Sequence, residues 1–404
     1  MLHTKEKWYA HLKDCAAGPS KRRGSEPTLF SGIDNPVIPP SIDAMKTHNS
    51  ASTAGPASHK GRARARREFL TGTAAAAAGF AAGAILPLPH AQAAEEAPAK
   101  PGRPRIGCLS WNFHSLSPGS NPEQAIDIIG ELGFEGVELI ICARDDIKNY
   151  WTDAKLDQLK KQLERNKLAV SQFVLFQPVV AGLSSLKADE RQESLDYFET
   201  GCRIGAKLGA PIVNIVAPWA RELGKGQGYI PRYYEIAKPA EGQKYRINIA
   251  PSFQYDDVWR EWVNTVRALL TRAKAAGLRF TIEHHTHCLI EDANAFLRLC
   301  DAVNDPDLGY NLDAGWTLLQ REYPPVAVHK VGRRLMNLHM RDIDGMMRSF
   351  APAGEGVMDF QGIADALKQI GFRGFMSLEQ DGHKGMDMKA VCARYLELMK
   401  KCLG

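Results

Sequence analysis

From Arg105 to the C-terminus, short apolar runs alternate with longer segments of helical periodicity. A continuous apolar run bounded by turn residues reads as a strand buried on both faces, which is the condition of a parallel sheet with helical crossovers. The runs are Arg105–Leu109, Gly136–Ile141, Ala169–Phe176, Pro211–Ala217, and four more that end in Glu283, Asp313, His339 and Glu379. Helices are expected at 121–132, 154–166, 188–208, 256–276, 293–303, 326–334, 360–370 and 387–401. Asn121-Pro122-Glu123 opens the first with a capping residue and a first-turn proline. Leu156, Leu159 and Leu163 give the second an apolar stripe, and Gly133, Gly209 and Gly277 end three of the helices. Eight strands, each followed by a helix and a short return, predict an α/β fold closed into a (β/α)8 TIM barrel. An open doubly wound sheet is the alternative, but no strand ends in a Gly-rich phosphate-binding turn.

The barrel accounts for residues 105–404 only. Residues 61–93 read as a twin-arginine export signal: Arg66-Arg67-Glu68-Phe69-Leu70, an Ala- and Gly-rich apolar stretch, then Ala91-Gln92-Ala93 as a cleavage site. Gly79, Gly83, Pro87 and Pro89 interrupt that stretch, so a membrane anchor is the weaker reading. Residues 1–60 precede it as a disordered extension or a mis-called start, with Met45 a plausible initiator. Residues 94–104 form an Ala/Pro/Lys/Arg linker. The expected route is folding in the cytoplasm, export by the twin-arginine machinery and residence in the periplasm.

The charge follows the same division. The whole chain carries +5, but residues 1–93 hold 12 of its 51 Lys and Arg and 6 of its 46 Asp and Glu. The remainder, 39 basic against 40 acidic, is near neutral and implies no nucleic-acid partner. The eight cysteines show no C-x-x-C and no disulfide-like spacing, so buried thiols are the default.

Glu283, Asp313, His339 and Glu379 each stand at the end of a predicted strand. In a closed barrel all four converge on the C-terminal mouth, where such folds place their chemistry. Three carboxylates and one imidazole describe a site for one divalent metal. Oxygen ligands suit Mn²⁺, the expected ion, or Mg²⁺; the imidazole admits Co²⁺, Zn²⁺, Ni²⁺ or Fe²⁺. Residues 218–255 are far longer than an ordinary βα loop and rich in Tyr, with Trp219 and Phe253, as a lid over that mouth would be.

Taken in order, Ile282-Glu283-His284-His285, Leu312-Asp313-Ala314-Gly315, Leu338-His339-Met340-Arg341-Asp342, Gly354-Glu355-Gly356-Val357-Met358-Asp359-Phe360 and Leu378-Glu379 resemble the xylose isomerase-like TIM barrel superfamily. More narrowly they resemble its sugar phosphate isomerase/epimerase group. The resemblance covers about residues 105–402 and implies metal ligation by Glu283, Asp313, His339 and Glu379. It implies proton transfer by Glu283 and Glu379 on either face of a sugar, and a substrate contact from His285. A strand-two Glu facing the pocket would be Glu138, which could instead be a structural partner for a basic side chain. Trp316 stands where the family often has a second His, which argues against the multi-zinc site of the related apurinic endonucleases.

Other candidate substrate contacts are Arg341, Glu355, Trp111, Trp219 and Trp316, with Asn112 and His114 beside them. By strand alternation His284 faces the helical layer, and Asp342 is expected to orient neighbours. A proton next to a carbonyl can be removed by a carboxylate while a metal stabilises the enediolate. The leading expectation is therefore a metal-dependent sugar isomerase or epimerase. The alternatives are a 3-keto-glycoside lyase acting by β-elimination, a metal-assisted phosphodiester hydrolase, and a non-catalytic periplasmic sugar-binding barrel. A small sugar or glycoside is the expected partner, and a homo-oligomer remains open.

Overall fold

The structure, a computed structural model, describes residues 102–220, 249–286, 288–345, 351–380 and 385–404. The expected export signal, the extension before it, His287 and most of the 218–255 loop lie outside them.

Eight parallel strands close into a barrel in sequence order: β1 (Arg105–Leu109), β2 (Gly136–Ile141), β3 (Ala169–Leu175), β4 (Ile212–Val216), β5 (Arg279–Glu283), β6 (Leu308–Asp313), β7 (Leu335–Met340) and β8 (Phe375–Leu378). β8 pairs back onto β1, Cys108 opposite Leu378. Around them run α1 (Glu123–Leu132), α2 (Arg144–Asn149), α3 (Asp153–Arg165), α4 (Ala188–Lys207), α5 (Tyr255–Ala275), α6 (Ala293–Val303), α7 (Ala314–Leu319), α8 (Pro324–Val331), α9 (Phe360–Gln369) and α10 (Met388–Leu403).

The predicted strands and long helices are present with their ends shifted by at most three residues. Two short helices, α2 and α7, were not anticipated; each follows a strand at the mouth and is too short to show a periodic stripe. Asn121 does not cap α1, since Pro122 holds that position with no side-chain bond. Gly133 (φ 85°) and Gly209 (φ 79°) turn the chain from α1 and α4 into the next strand through a left-handed conformation that other residues resist.

Two regions hold the fold together. Between strands and helices lies the apolar layer; there Phe198 of α4 meets Phe280 of β5 edge to face at 5.4 Å. Burial of one such ring stabilises by about 1.5–3 kcal/mol. The barrel interior is different. Barrels of this kind are commonly filled by Val, Ile and Leu, whereas Glu138, Gln172, Asn214, Thr281, Asn311 and Asn337 occupy this one, all without solvent exposure. The register brings them together, with Glu138 opposite Gln172, Asn214 opposite Thr281, and Asn311 opposite both Glu283 and Asn337.

Candidate metal centre

The four strand-end residues meet. Glu283, Asp313, His339 and Glu379 each offer one ligand atom, and all four atoms lie within 4.8 Å of one another. Adjacent strands set this up: Asp313 and His339 are register partners, and His339 pairs with Ser377, two residues before Glu379.

Each ligand side chain is held from outside the cluster. Glu283 Oε2 accepts from Asn214 Nδ2 at 3.2 Å and Asn311 Nδ2 at 2.9 Å. Asp313 Oδ1 caps α7 through the Trp316 N–H at 2.9 Å, while Oδ2 accepts from Arg341 Nε at 3.0 Å. Asp313 is thus both a helix cap and a member of the cluster. Glu379 Oε1 accepts from Trp111 Nε1 at 3.1 Å, and Oε2 pairs with Arg341 Nη2. His339 Nε2 lies 2.7 Å from Glu138 Oε1. Its Nδ1 is buried without a hydrogen bond, facing Glu379 Oε2 at 3.0 Å and Glu283 Oε2 at 3.3 Å.

The donor set fits a divalent metal. Three carboxylates and one imidazole surround a single point, and the one nitrogen without a bond is aimed at that point. An imidazole whose far nitrogen meets a carboxylate is the usual arrangement of a metal-binding histidine.

The electrostatics are those of an anionic cluster short of positive charge. Burial pushes the Asp313 carboxyl up to about 7, with Arg341 pulling against it and Glu379 and Glu283 adding to the rise. Burial acts on Glu379 in the same sense, but Arg341 and His339 outweigh it and hold that carboxyl below its ordinary range. For His339, burial opposes the charged form, yet Glu138 and Glu283 overcome it and raise the imidazole well above its usual value.

The remaining candidates divide. Trp111 and Arg341 contact the cluster directly. Trp316 is buried beside it, its ring 3.7 Å from that of His285 and under the Arg341 guanidinium at 5.3 Å. Trp219 follows β4, and its carbonyl accepts from Ser184 Oγ at 2.7 Å. Asn112 clamps the end of β8: its amide donates to Leu378 O, and its oxygen accepts from Gln380 N, both at 2.9 Å. His114 Nε2 lies 3.1 Å from Ser110 Oγ.

The pocket-facing reading of Glu138 gives way to its alternative, a structural partner for a basic side chain, and the reading of Glu355 needs correction. Glu138 has no solvent exposure and meets His339, Gln172 and Asn337. It sits beneath the imidazole because the β2 register places it one layer below the mouth. Glu355 points outward, about half exposed, and pairs with Arg394 of α10. Its Gly-flanked loop is organised instead by Asp342, whose carboxylate accepts from the N–H groups of Ile343, Gly354, Gly356 and Met358. A side chain at position 356 would run into the Ile343 carbonyl at 2.1 Å, so that glycine serves the loop.

His284 does face the helical layer. It stacks on Tyr310 at 5.3 Å and bonds Thr317 Oγ1 at 3.1 Å. Sequence reasoning missed Asn214, Asn311, Gln172, Thr281 and Asn337. Their signal was one or two polar residues inside a strand otherwise apolar on both faces. Across the mouth, Leu109, Trp111, Ile140, Cys142 and Val174 make a small apolar cluster on the β1–β3 side.

A family profile described as Xylose isomerase-like TIM barrel matches residues 126–402, well over half of the chain. The chain belongs to this family. Among solved structures, this xylose isomerase-like barrel is similar to D-psicose 3-epimerase from Clostridium cellulolyticum H10, with a TM-score of 0.58 at 16% identity, covering 74% of this chain and 99% of that one. It is equally similar to 3-keto-D-glucoside 4-epimerase from E. coli, with a TM-score of 0.58 at 15% identity, covering 74% and 100%.

Among curated proteins, it is 22% identical over 299 residues to an inosose dehydratase of Clostridium botulinum, covering 68% of this chain and 87% of that protein. It is 23% identical over 147 residues to an inosose dehydratase of Lacticaseibacillus casei; that match covers 31% of this chain and only 48%, about half, of the relative.

Proposed function

We propose that the chain is a divalent-metal-dependent sugar isomerase or epimerase that removes the proton next to a carbonyl. The observation that carries this reading is the convergence of Glu283, Asp313, His339 and Glu379 on one point, with His339 Nδ1 unbonded and aimed into it. When bound, the metal supplies positive charge to the substrate oxygens as the neighbouring C–H ionises.

The chain's own residues do the rest. Glu283 and Glu379 reach the mouth from β5 and from the end of β8, and each can take or give a proton there. Arg341 and Trp111 fix the orientation of Glu379; Asn214 and Asn311 fix that of Glu283. Trp111 and the apolar cluster on β1–β3 offer a water-excluding wall for the carbon face of a sugar. The epimerase names of the structural neighbours favour the same class of substrate.

A second reading is β-elimination, either dehydration of a keto-polyol or lyase cleavage of a 3-keto-glycoside. The inosose dehydratase relatives favour it. So does the asymmetry of the two carboxylates: Glu379 is braced by a cation and an indole, Glu283 by two amides. Unequal surroundings suit two carboxylates with unequal tasks. We further read residues 61–93 as a twin-arginine signal, which would place the enzyme in the periplasm and make unphosphorylated sugars its natural substrates.

The test uses the full chain purified without chelator and supplied with Mn²⁺. Solvent deuterium uptake into free ketoses, inososes and 3-keto-glycosides is followed by NMR. Exchange that disappears in Glu283→Gln and Glu379→Gln supports proton abstraction at this site, and the product separates epimerase from lyase. Failure of the reconstituted protein to bind any metal would overturn the reading in favour of a sugar-binding barrel.

A further inference from the structure

We infer that Glu138 is a positioning residue that fixes the tautomer and aim of His339, so that Nδ1 is the atom offered to the metal. This deepens the metal reading above and rests on it. The geometry has three parts.

The first is position. Glu138 lies on β2 with no exposure, and the imidazole of His339 stands between it and the ligand cluster. A substrate at the mouth cannot touch it.

The second is chemistry. A carboxylate only accepts hydrogen bonds, so the 2.7 Å contact requires the hydrogen on Nε2. The Asn311 amide also lies 3.2 Å from Nε2, but it is directed at Glu283 Oε2 at 2.9 Å. The shorter contact, to a full anion, decides the tautomer. With Nε2 committed, only Nδ1 can donate a lone pair, and Nδ1 is the nitrogen aimed at Glu283 and Glu379.

The third is that Glu138 is itself locked. Gln172 Nε2 donates to Oε1 at 3.0 Å and Asn337 Nδ2 to Oε2 at 3.2 Å. Gln172 is held in turn by Thr281 at 2.8 Å, and Thr281 also lies 2.9 Å from Asn214, which donates to Glu283. The single Thr281 hydroxyl hydrogen is shared between the Gln172 and Asn214 carbonyl oxygens, so the support of His339 and the support of Glu283 meet at one group on the barrel floor.

The experiment measures Mn²⁺ binding to the full chain by calorimetry for wild type, Glu138→Gln and Glu138→Leu, together with the thermal midpoint of each metal-free protein. Glu138→Gln keeps the shape but loses the charge and turns one NH₂ group toward the donor of either Gln172 or Asn337. It is expected to weaken Mn²⁺ binding roughly 10- to 100-fold at unchanged stoichiometry, and Glu138→Leu to weaken it further. A merely structural role would move the thermal midpoint and leave affinity alone. Should either variant fail to fold, the Zn²⁺-loaded wild type labelled with ¹⁵N-histidine decides: the expected signature for His339 is a protonated Nε2 with metal on Nδ1. The opposite tautomer, or equal Mn²⁺ affinity in Glu138→Gln, overturns this inference while the metal site stands. Absence of Mn²⁺ binding in wild type overturns both.

Discussion

Replacing Asp342 by Asn changes one atom type and should loosen a whole loop. The Asp342 carboxylate is buried and accepts four backbone hydrogen bonds: Oδ1 from Ile343 at 2.9 Å and Met358 at 3.0 Å, Oδ2 from Gly354 and Gly356 at 2.9 Å each. An Asn retains one acceptor oxygen and can keep one pair. It turns an NH₂ group toward the other pair, where donor faces donor. Hydrogen bonds to a charged group contribute about 1.5–3 kcal/mol each, so losing two costs about 3–6 kcal/mol. The stranded N–H groups belong to a surface loop and can rotate toward water, which places the expected cost near the lower end. At about 2 °C per kcal/mol for a domain of this size, the thermal midpoint of Asp342→Asn should fall by about 6 °C. Limited proteolysis should at the same time find new cleavage within 343–358. A midpoint within about 2 °C of wild type, with an unchanged digestion pattern, would show that the loop does not depend on this carboxylate.

Three further outcomes follow from other sites. Burial lowers the His284 imidazole to about 3. Its folded value is below its unfolded one, so its stabilising contribution is complete above pH 6.5 and is lost as pH falls toward 3. Between pH 7 and 5 wild type should lose about 2 kcal/mol more stability than His284→Gln in urea titrations, and parallel pH profiles would refute this. Mn²⁺ at about one hundred times its dissociation constant should stabilise the protein by about 2.7 kcal/mol in thermal unfolding, with chelator reversing it; an equal gain in His339→Gln would remove His339 from the ligand set. Glu355→Gln, at an exposed pair with Arg394, should cost less than about 1 kcal/mol and leave turnover unchanged, whereas a tenfold loss of turnover would return Glu355 to the site.

The barrel was legible because its strands are buried on both faces and several of its helices end at glycines, two signals that need no tertiary information. The convergence of Glu283, Asp313, His339 and Glu379 was legible because each stands at or next to the end of a strand, and closure of the barrel fixes where strand ends go. What could not be read is how far along a strand a side chain stands relative to its neighbours. Glu138 and Glu355 both fell to that. Between Val137 and Glu138 the register against β3 shifts by one residue, which sets Glu138 opposite Gln172, and such a shift leaves no mark in the local sequence. Glu355 turned outward because Asp342 gathers the loop's N–H groups, a contact spanning more than ten residues. The short helices α2 and α7 escaped because six residues make too few turns for a periodic pattern.

The polar floor of the barrel invites one last prediction, because stability alone does not explain it. Satisfied buried hydrogen bonds contribute only about 0.5–1.5 kcal/mol net, and an apolar filling of the same shape can be as stable or more so. A floor of Gln172, Asn214, Thr281, Asn311 and Asn337 is therefore better understood as a mount for Glu283 and His339. The two roles separate by mutation. Thr281→Val removes a hydroxyl that contacts Gln172 Oε1 and Asn214 Oδ1. With its hydrogen bond gone, stability should fall by about 1–3 kcal/mol. Adding Gln172→Met and Asn214→Leu removes the stranded carbonyl groups but takes one donor each from the buried Glu138 and Glu283, so stability should recover only in part. Metal affinity should not recover, because Glu283 has lost Asn214 and Glu138 has lost Gln172. Recovery of Mn²⁺ affinity together with stability in the triple variant would show that the floor only fills space, and that the strand ends alone hold the ligands in place.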